Sequence, residues 1–259
     1  MTWILPPRER VASPHFYPNR LGHQAILLIL HYAVDGDQSE DDSLDYNFLP
    51  RERSHDCMDV ARGFAKRKRR ASTHFVAGRD GSKVQCVQLK DACWGAGDGG
   101  RSKFPYPYPV EPPCKLSELP RMPRVVNCIS TQIEVCNAGY AVDKLKIPKD
   151  ERVTLQHPAM SKPREWEVFT DYAYRTTELL AAMLRQAQPT LRYVCGHEDV
   201  TNRDTLGQKY GGKFDPGPAW DWRRTDWSGL GYERVRYDFD QKMFVIDDLS
   251  IPVPELTLA

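Results

Sequence analysis

Three side chains in this sequence are of types that together bind a metal. His31 closes the aliphatic run LILH, His197 closes the run RYVCGH, and Asp215 sits 18 residues later in GGKFDPGPAWDW. Two imidazoles and one carboxylate leave a fourth position open for water, the arrangement of a catalytic rather than a structural zinc. Histidines at strand ends stand where a sheet opens to solvent, so a metal held there can meet a substrate. Spacing alone does not make the three converge. A single histidine at a strand end is more often a hydrogen-bonded edge residue than a ligand.

Two further residues carry candidate chemistry. In ISTQIEVCN, Ile129, Thr131, Ile133 and Val135 share one strand face, and Ser130, Gln132, Glu134 and Cys136 share the other. A carboxylate in a central strand is costly unless it is paired or functional. Glu134 is thus either bridged to a neighbouring arginine or lysine, or a general base whose pKa burial raises. In an extended KFD, Lys213 points the same way as Asp215. It is either a surface lysine or a group that stabilises an oxyanion beside the metal. His74 reads as a packing or hydrogen-bonding residue near the site, and Cys195 as a buried free thiol. Asp199 reads as a cap of the following turn or as a residue that orients His197. His15, His23, His55 and His157 have no supporting context.

Elements must bring these residues together. QAILLILHYAV, residues 24 to 34, is a continuous aliphatic run, as in a central strand buried on both faces. The acidic DGDQSEDD after it predicts a solvated loop. Residues 54 to 70 predict a helix capped by Ser54, with the basic KRKRR run at its C-terminal end, where cations suit the dipole. Residues 72 to 89 predict a hairpin turning at RDGS. Residues 125 to 137 predict a strand, and residues 161 to 186 a long helix capped by Ser161 with Pro163 in its first turn. Residues 191 to 197 and 242 to 248 predict two more strands. Strands alternating with helices, plus one hairpin, imply an α/β fold, a single domain with a central mixed β-sheet flanked by helices.

Bulk properties narrow the function classes. The chain has 259 residues, with 36 basic and 35 acidic side chains and a formal net charge of +1. That balance gives no general attraction to nucleic acid or to a membrane surface. The longest apolar run is too short to span a bilayer, so no membrane insertion is expected. MTWILPPRER lacks the pattern of a Sec-type signal peptide. Seven cysteines without a CxxC pair argue against a complete intrachain disulfide framework.

Six segments then carry a family resemblance: LILHYAV, STHFVAGRDGSKVQCV, DACWGAG, ISTQIEVCN, YVCGHEDV and GGKFDPGPAWDW. Their order and character resemble the zinc-dependent N-acetylmuramoyl-L-alanine amidases, which include bacterial muropeptide-recycling amidases, the T7 lysozyme type and the peptidoglycan recognition proteins. The resemblance covers roughly residues 24 to 222. It leaves residues 223 to 259 as a C-terminal extension and residues 95 to 125 as an irregular insertion, within one amidase domain spanning 1 to 259. It implies the peptidoglycan-recognition fold and one catalytic Zn2+ held by His31, His197 and Asp215. It implies Glu134 as proton acceptor and donor, and Lys213 as a residue that helps hold the transition state. Asp215 as third ligand, rather than cysteine, points to the recycling-type branch.

Two departures stand out. The family's WHAG reads WGAG, so Gly95 replaces a histidine that lines the substrate groove. The family's SIGIE reads STQIE, which keeps the acid and changes its neighbours. The implied reaction is hydrolysis of the amide between the lactyl group of N-acetylmuramic acid and L-alanine, in peptidoglycan or muropeptides. The implied setting is either cytoplasmic recycling or export by a non-Sec route as an antibacterial effector, which would carry a cognate inhibitor protein in the producing cell. The competing readings are a non-catalytic peptidoglycan-binding module and a zinc amidohydrolase of another substrate on the same fold.

Overall fold

The computed structural model describes residues 3–33, 36–38, 46–48, 56–66, 71–96, 125–143, 145–157, 160–200, 214–238 and 243–249. Seven strands form its central sheet: β1 (Leu27–Ala33), β2 (Phe75–Ala77), β3 (Lys83–Gln85), β4 (Ser130–Cys136), β5 (Tyr193–Gly196), β6 (Glu233–Asp238) and β7 (Met243–Ile246). Their order across the sheet is β7-β6-β5-β1-β4-β2-β3. The five inner strands run parallel, and β3 and β7 close the two edges antiparallel. This is the expected mixed sheet in an α/β domain.

A parallel sheet must be covered on both faces, and the sequence supplies two different covers. Leu28, Leu30, Ile133, Val135, Phe75, Ala77 and Val194 pack on Ala173, Leu180, Ala181 and Leu184 of the long helix Asp171–Ala187. On the opposite face, Leu27, Ile29, Tyr193 and Cys195 meet Val126 and Ile129 of the short helix Val125–Ile129. Val76, Val84 and Cys136 meet Cys57, Val60, Ala61 and Phe64 of the helix Cys57–Lys66. Between these two apolar clusters, strand alternation puts Gln132, Glu134 and His31 on that same face.

Several boundaries differ from the sequence-based expectation. The strand predicted from residue 125 begins at Ser130, and VVNCI before it is helical. Its β-branched residues favour a strand, but packing Val126 and Ile129 on the sheet outweighs that propensity. The helix predicted from residue 161 begins at Asp171. Thr170 caps it by accepting from the Ala173 N–H at 3.1 Å. Arg164–Glu167 instead pairs antiparallel with Arg152–Leu155, which carries Trp166 into the interior. Asp56, accepting from the N–H groups of Met58 and Asp59, fills the capping role expected of Ser54, which lies outside the described residues.

Within the stretch expected to be a solvated acidic loop, Gly36–Gln38 pairs with Tyr46–Phe48. The hairpin of β2 and β3 turns through Gly81 as expected. Strand β6 was not expected. Most of the 95 to 125 insertion, and residues 67 to 70 of the basic run, lie outside the described residues. Among the described residues, six cysteines are buried and form no disulfide, and no helix is long and apolar enough to cross a membrane.

Candidate metal centre

Strand register builds the site. In the parallel pair of β1 and β4, His31 stands opposite Glu134. In the pair of β5 and β1, Gly196 stands opposite Leu30, so His197, the next residue, falls beside His31. Two histidines and a glutamate, two within adjacent strands and His197 directly after a third, therefore meet at the carboxyl ends of the parallel strands, where open α/β sheets bind ligands. His197 begins a four-residue helix, His197–Val200, so the strand predicted to include it stops one residue earlier.

Asp215 arrives from the loop. The Glu198 N–H donates to the Asp215 carbonyl at 2.9 Å, which ties the loop to the turn bearing His197. The two segments approach so closely that a Cβ on Gly196 would lie 2.7 Å from Pro216 Cδ. Only glycine fits there. The turn itself is held by Asp199, whose Oδ2 accepts from the Gly196 N–H at 2.9 Å and pairs with Arg234 Nη2 at 2.9 Å. Asp199 thus secures the turn on which His197 stands.

The result is a tight, buried donor set. His31 Nδ1 lies 3.1 Å and His197 Nδ1 3.0 Å from the same Asp215 Oδ2. One donor atom from each residue lies within 4.8 Å of the others. The imidazole rings are 4.3 Å apart at their centroids, and all three residues are buried. Two imidazole nitrogens and a carboxylate oxygen suit zinc and leave room for a fourth ligand. The donor chemistry therefore fits the ion implied by the sequence. Glu134, also buried, places Oε1 3.8 Å from His31 Nδ1, beside the set rather than within it. Lys213 lies outside the described residues.

The surroundings are asymmetric. Tyr32 follows His31, and burial together with the Asp215 carboxylate pushes its hydroxyl well above the ordinary value. It therefore stays protonated. His157 Nε2 is 3.0 Å from Glu198 Oε2, and its ring meets Phe214 edge-on at 5.0 Å. Burial raises the Glu198 carboxyl, while the His157 hydrogen bond opposes that rise. No sequence signal links His157 to this loop; only the fold does.

His74 takes no part in the donor set. Its Nδ1 accepts from the Gln132 N–H at 3.2 Å, and its Nε2 donates to the Asp91 carbonyl at 2.9 Å. Cys195 is a buried free thiol, pushed well above its ordinary pKa by burial, so it is inert as a nucleophile.

Fold and site together define a class of α/β proteins that present two histidines and a carboxylate, suited to one metal ion, at the carboxyl end of a parallel sheet. Within that class the chain belongs to the N-acetylmuramoyl-L-alanine amidase family, Amidase_2, whose model matches residues 22–218. That span agrees with the resemblance read from residues 24 to 222. Among curated proteins, none matches the chain. A similar solved structure is the crystal structure of a Se-Met AmpD derivative. It is 20% identical, with 86% of this chain and 93% of that one covered, at a TM-score of 0.43. A likeness that low has no bearing on function.

Proposed function

We propose that this protein hydrolyses the amide bond between the lactyl carbonyl of N-acetylmuramic acid and L-alanine of the stem peptide, as a zinc enzyme. The observation that carries the reading is the convergence of His31, His197 and Asp215 with Glu134 beside them, in a chain of this family. Held by His31, His197 and Asp215, zinc would supply a Lewis acid and would lower the pKa of a bound water.

Glu134 takes a proton from the attacking water as the new C–O bond forms. It returns that proton to the alanine nitrogen as the C–N bond breaks. Lys213, two residues before Asp215, supplies a positive charge for the oxyanion; this role rests on the family resemblance. The proposed setting is attack on the cell wall after export, because the 35 to 47 and 95 to 125 segments exceed what a minimal amidase needs.

Incubating the zinc-loaded protein with intact sacculi and with soluble muropeptides, followed by mass spectrometry of the products, tests both claims. Free stem peptides beginning at L-alanine support the amidase. Peptides that still carry the muramoyl group would rule it out. Faster turnover of soluble muropeptides than of sacculi would overturn the wall-attack setting. A chelator should abolish turnover and added Zn2+ restore it.

A further inference from the structure

We propose that Gln132 is the positioning residue that fixes how His31 presents itself to the metal, and that Gly95 exists in this chain to make room for it. The proposal rests on the zinc-site reading above and adds a determinant of metal affinity to it.

The argument starts at a backbone group whose role is unambiguous. The Ala96 N–H donates to Asn127 Oδ1 at 3.0 Å, which identifies that atom as the amide oxygen. Gln132 places one amide atom 3.0 Å from this oxygen and 2.9 Å from Ser130 Oγ. An atom facing an acceptor must be the NH2, so the other amide atom of Gln132 is its carbonyl oxygen. That oxygen lies 3.1 Å from His31 Nε2. Since it only accepts, Nε2 carries a proton. The lone pair of the neutral ring is then on Nδ1, the atom 3.1 Å from Asp215 Oδ2. When His31 ligates as a neutral ring, Nδ1 is therefore the atom it offers, on the side where Asp215 and His197 converge.

Gln132 is itself immobilised. Its side chain is fully buried, its N–H donates to His74 Nδ1, and its carbonyl accepts from Thr73 Oγ1 at 3.1 Å. The space it occupies is conditional on residue 95. A Cβ built on Gly95 would sit 2.1 Å from Gln132 Oε1 and 2.9 Å from the Ser72 carbonyl. Any larger residue at 95 would therefore displace the oxygen that holds His31. The two departures from the family pattern, WGAG and STQIE, are thus one feature: the side chain added at 132 fills space that a side chain at 95 would need. Partners of this kind orient ligating histidines, and losing them costs metal affinity roughly 10–100-fold.

The test measures zinc affinity by competition with a chromophoric chelator, independently of any turnover. Gln132→Met, which keeps the volume and removes the acceptor, should bind zinc about 10–100-fold more weakly. In the zinc-loaded wild type, the His31 Nε2–H should give a slowly exchanging NMR signal, and Gln132→Met should lose it. Gly95→Ala should weaken zinc in the same way. Because Gln132→Gly removes the Oε1 clash and leaves only the 2.9 Å approach to the Ser72 carbonyl, adding Gly95→Ala to it should cost less zinc affinity than Gly95→Ala costs the wild type. If Gln132→Met does not fold, the Gly95→Ala pair of measurements carries the test. Wild-type zinc affinity in Gln132→Met or Gly95→Ala, or additive losses in the double variant, would overturn the proposal. Failure of the wild-type protein to bind zinc at all would instead overturn the zinc reading beneath it.

Discussion

At 3.8 Å from His31 Nδ1, Glu134 is too far to be held by that ring and near enough to reach a water at the donor set. A carboxylate so placed serves proton transfer better than metal binding. Glu134→Gln keeps the shape and removes the base. It should leave zinc affinity near wild type and lower turnover by roughly 10²–10⁴-fold. Chelator competition and product release by mass spectrometry measure the two separately; unchanged turnover would falsify the assignment.

The neighbouring His74 has a different consequence. Burial, and then Arg20, hold it well below its ordinary pKa, so it is neutral in the folded protein. Above pH about 6.5 it is neutral in the unfolded chain too, and its contribution to stability is fully present. As pH falls below that value, the unfolded chain takes up a proton that the folded chain refuses. Stability then falls by up to about 1.4 kcal/mol per pH unit for this one group. Asn keeps an acceptor for the Gln132 N–H and cannot titrate. Urea denaturation of wild type and His74→Asn at pH 7 and pH 5 should therefore show the wild type losing more on acidification. Equal losses would mean that His74 is not the group responsible.

Strand register turns these residues into a site. His31 and Glu134 are opposite each other because β1 and β4 run parallel in that alignment, and a slip of one residue would turn one of them to the other face. The sequence made the strand identities of LILH and QIEVC legible through their aliphatic runs and alternation. It did not make the register legible, since nothing within one strand states which residue of another lies beside it. The shared face of Gln132 and Glu134 could be read from alternation, whereas the contact of Gln132 with His31 could not. Thr170 was a readable cap for the long helix, but Ser161 and Pro163 offered a competing start, and the pairing that extends Arg164–Glu167 is tertiary.

Strand β6 is hard to read from ERVRYD because, among its described side chains, only Arg234 and Val235 are buried, and a buried arginine disguises one of its two inward faces. Arg234 is buried and pairs with buried Asp199, while its guanidinium lies 3.8 Å above the Trp222 ring. Replacing it with methionine leaves the Asp199 charge buried without that partner, which should cost about 3–5 kcal/mol. Chemical denaturation measures the loss. Arg234→Met combined with Asp199→Asn should be more stable than Arg234→Met alone, because the stranded charge is gone. A single variant as stable as wild type would show that the pair does not support the turn before His197.

At the scale of the whole chain, the family match ends at residue 218, yet the packing does not. Trp227 and Tyr232 are buried in the same cluster as Leu28, Ile133 and Leu180. The Tyr232 hydroxyl donates to the Ala181 carbonyl in the long helix at 2.9 Å, and Trp227 Nε1 donates to the Trp222 carbonyl at 3.0 Å. Strand β6 pairs with Tyr193 and Val194, directly upstream of His197. We therefore regard the extension as part of the domain that builds the site. Removing a large aromatic from a core costs about 3–5 kcal/mol, and two such losses approach the roughly 5–15 kcal/mol by which a domain is stable. Truncation also bares the edge of β5, an open template for aggregation. A chain ending at residue 222 should thus lose cooperative melting, followed by circular dichroism, and should lose high-affinity zinc binding with it. If that shortened chain melts cooperatively within a few degrees of the full one and binds zinc equally well, residues 223 to 259 are an appendage, and the domain ends where the family match does.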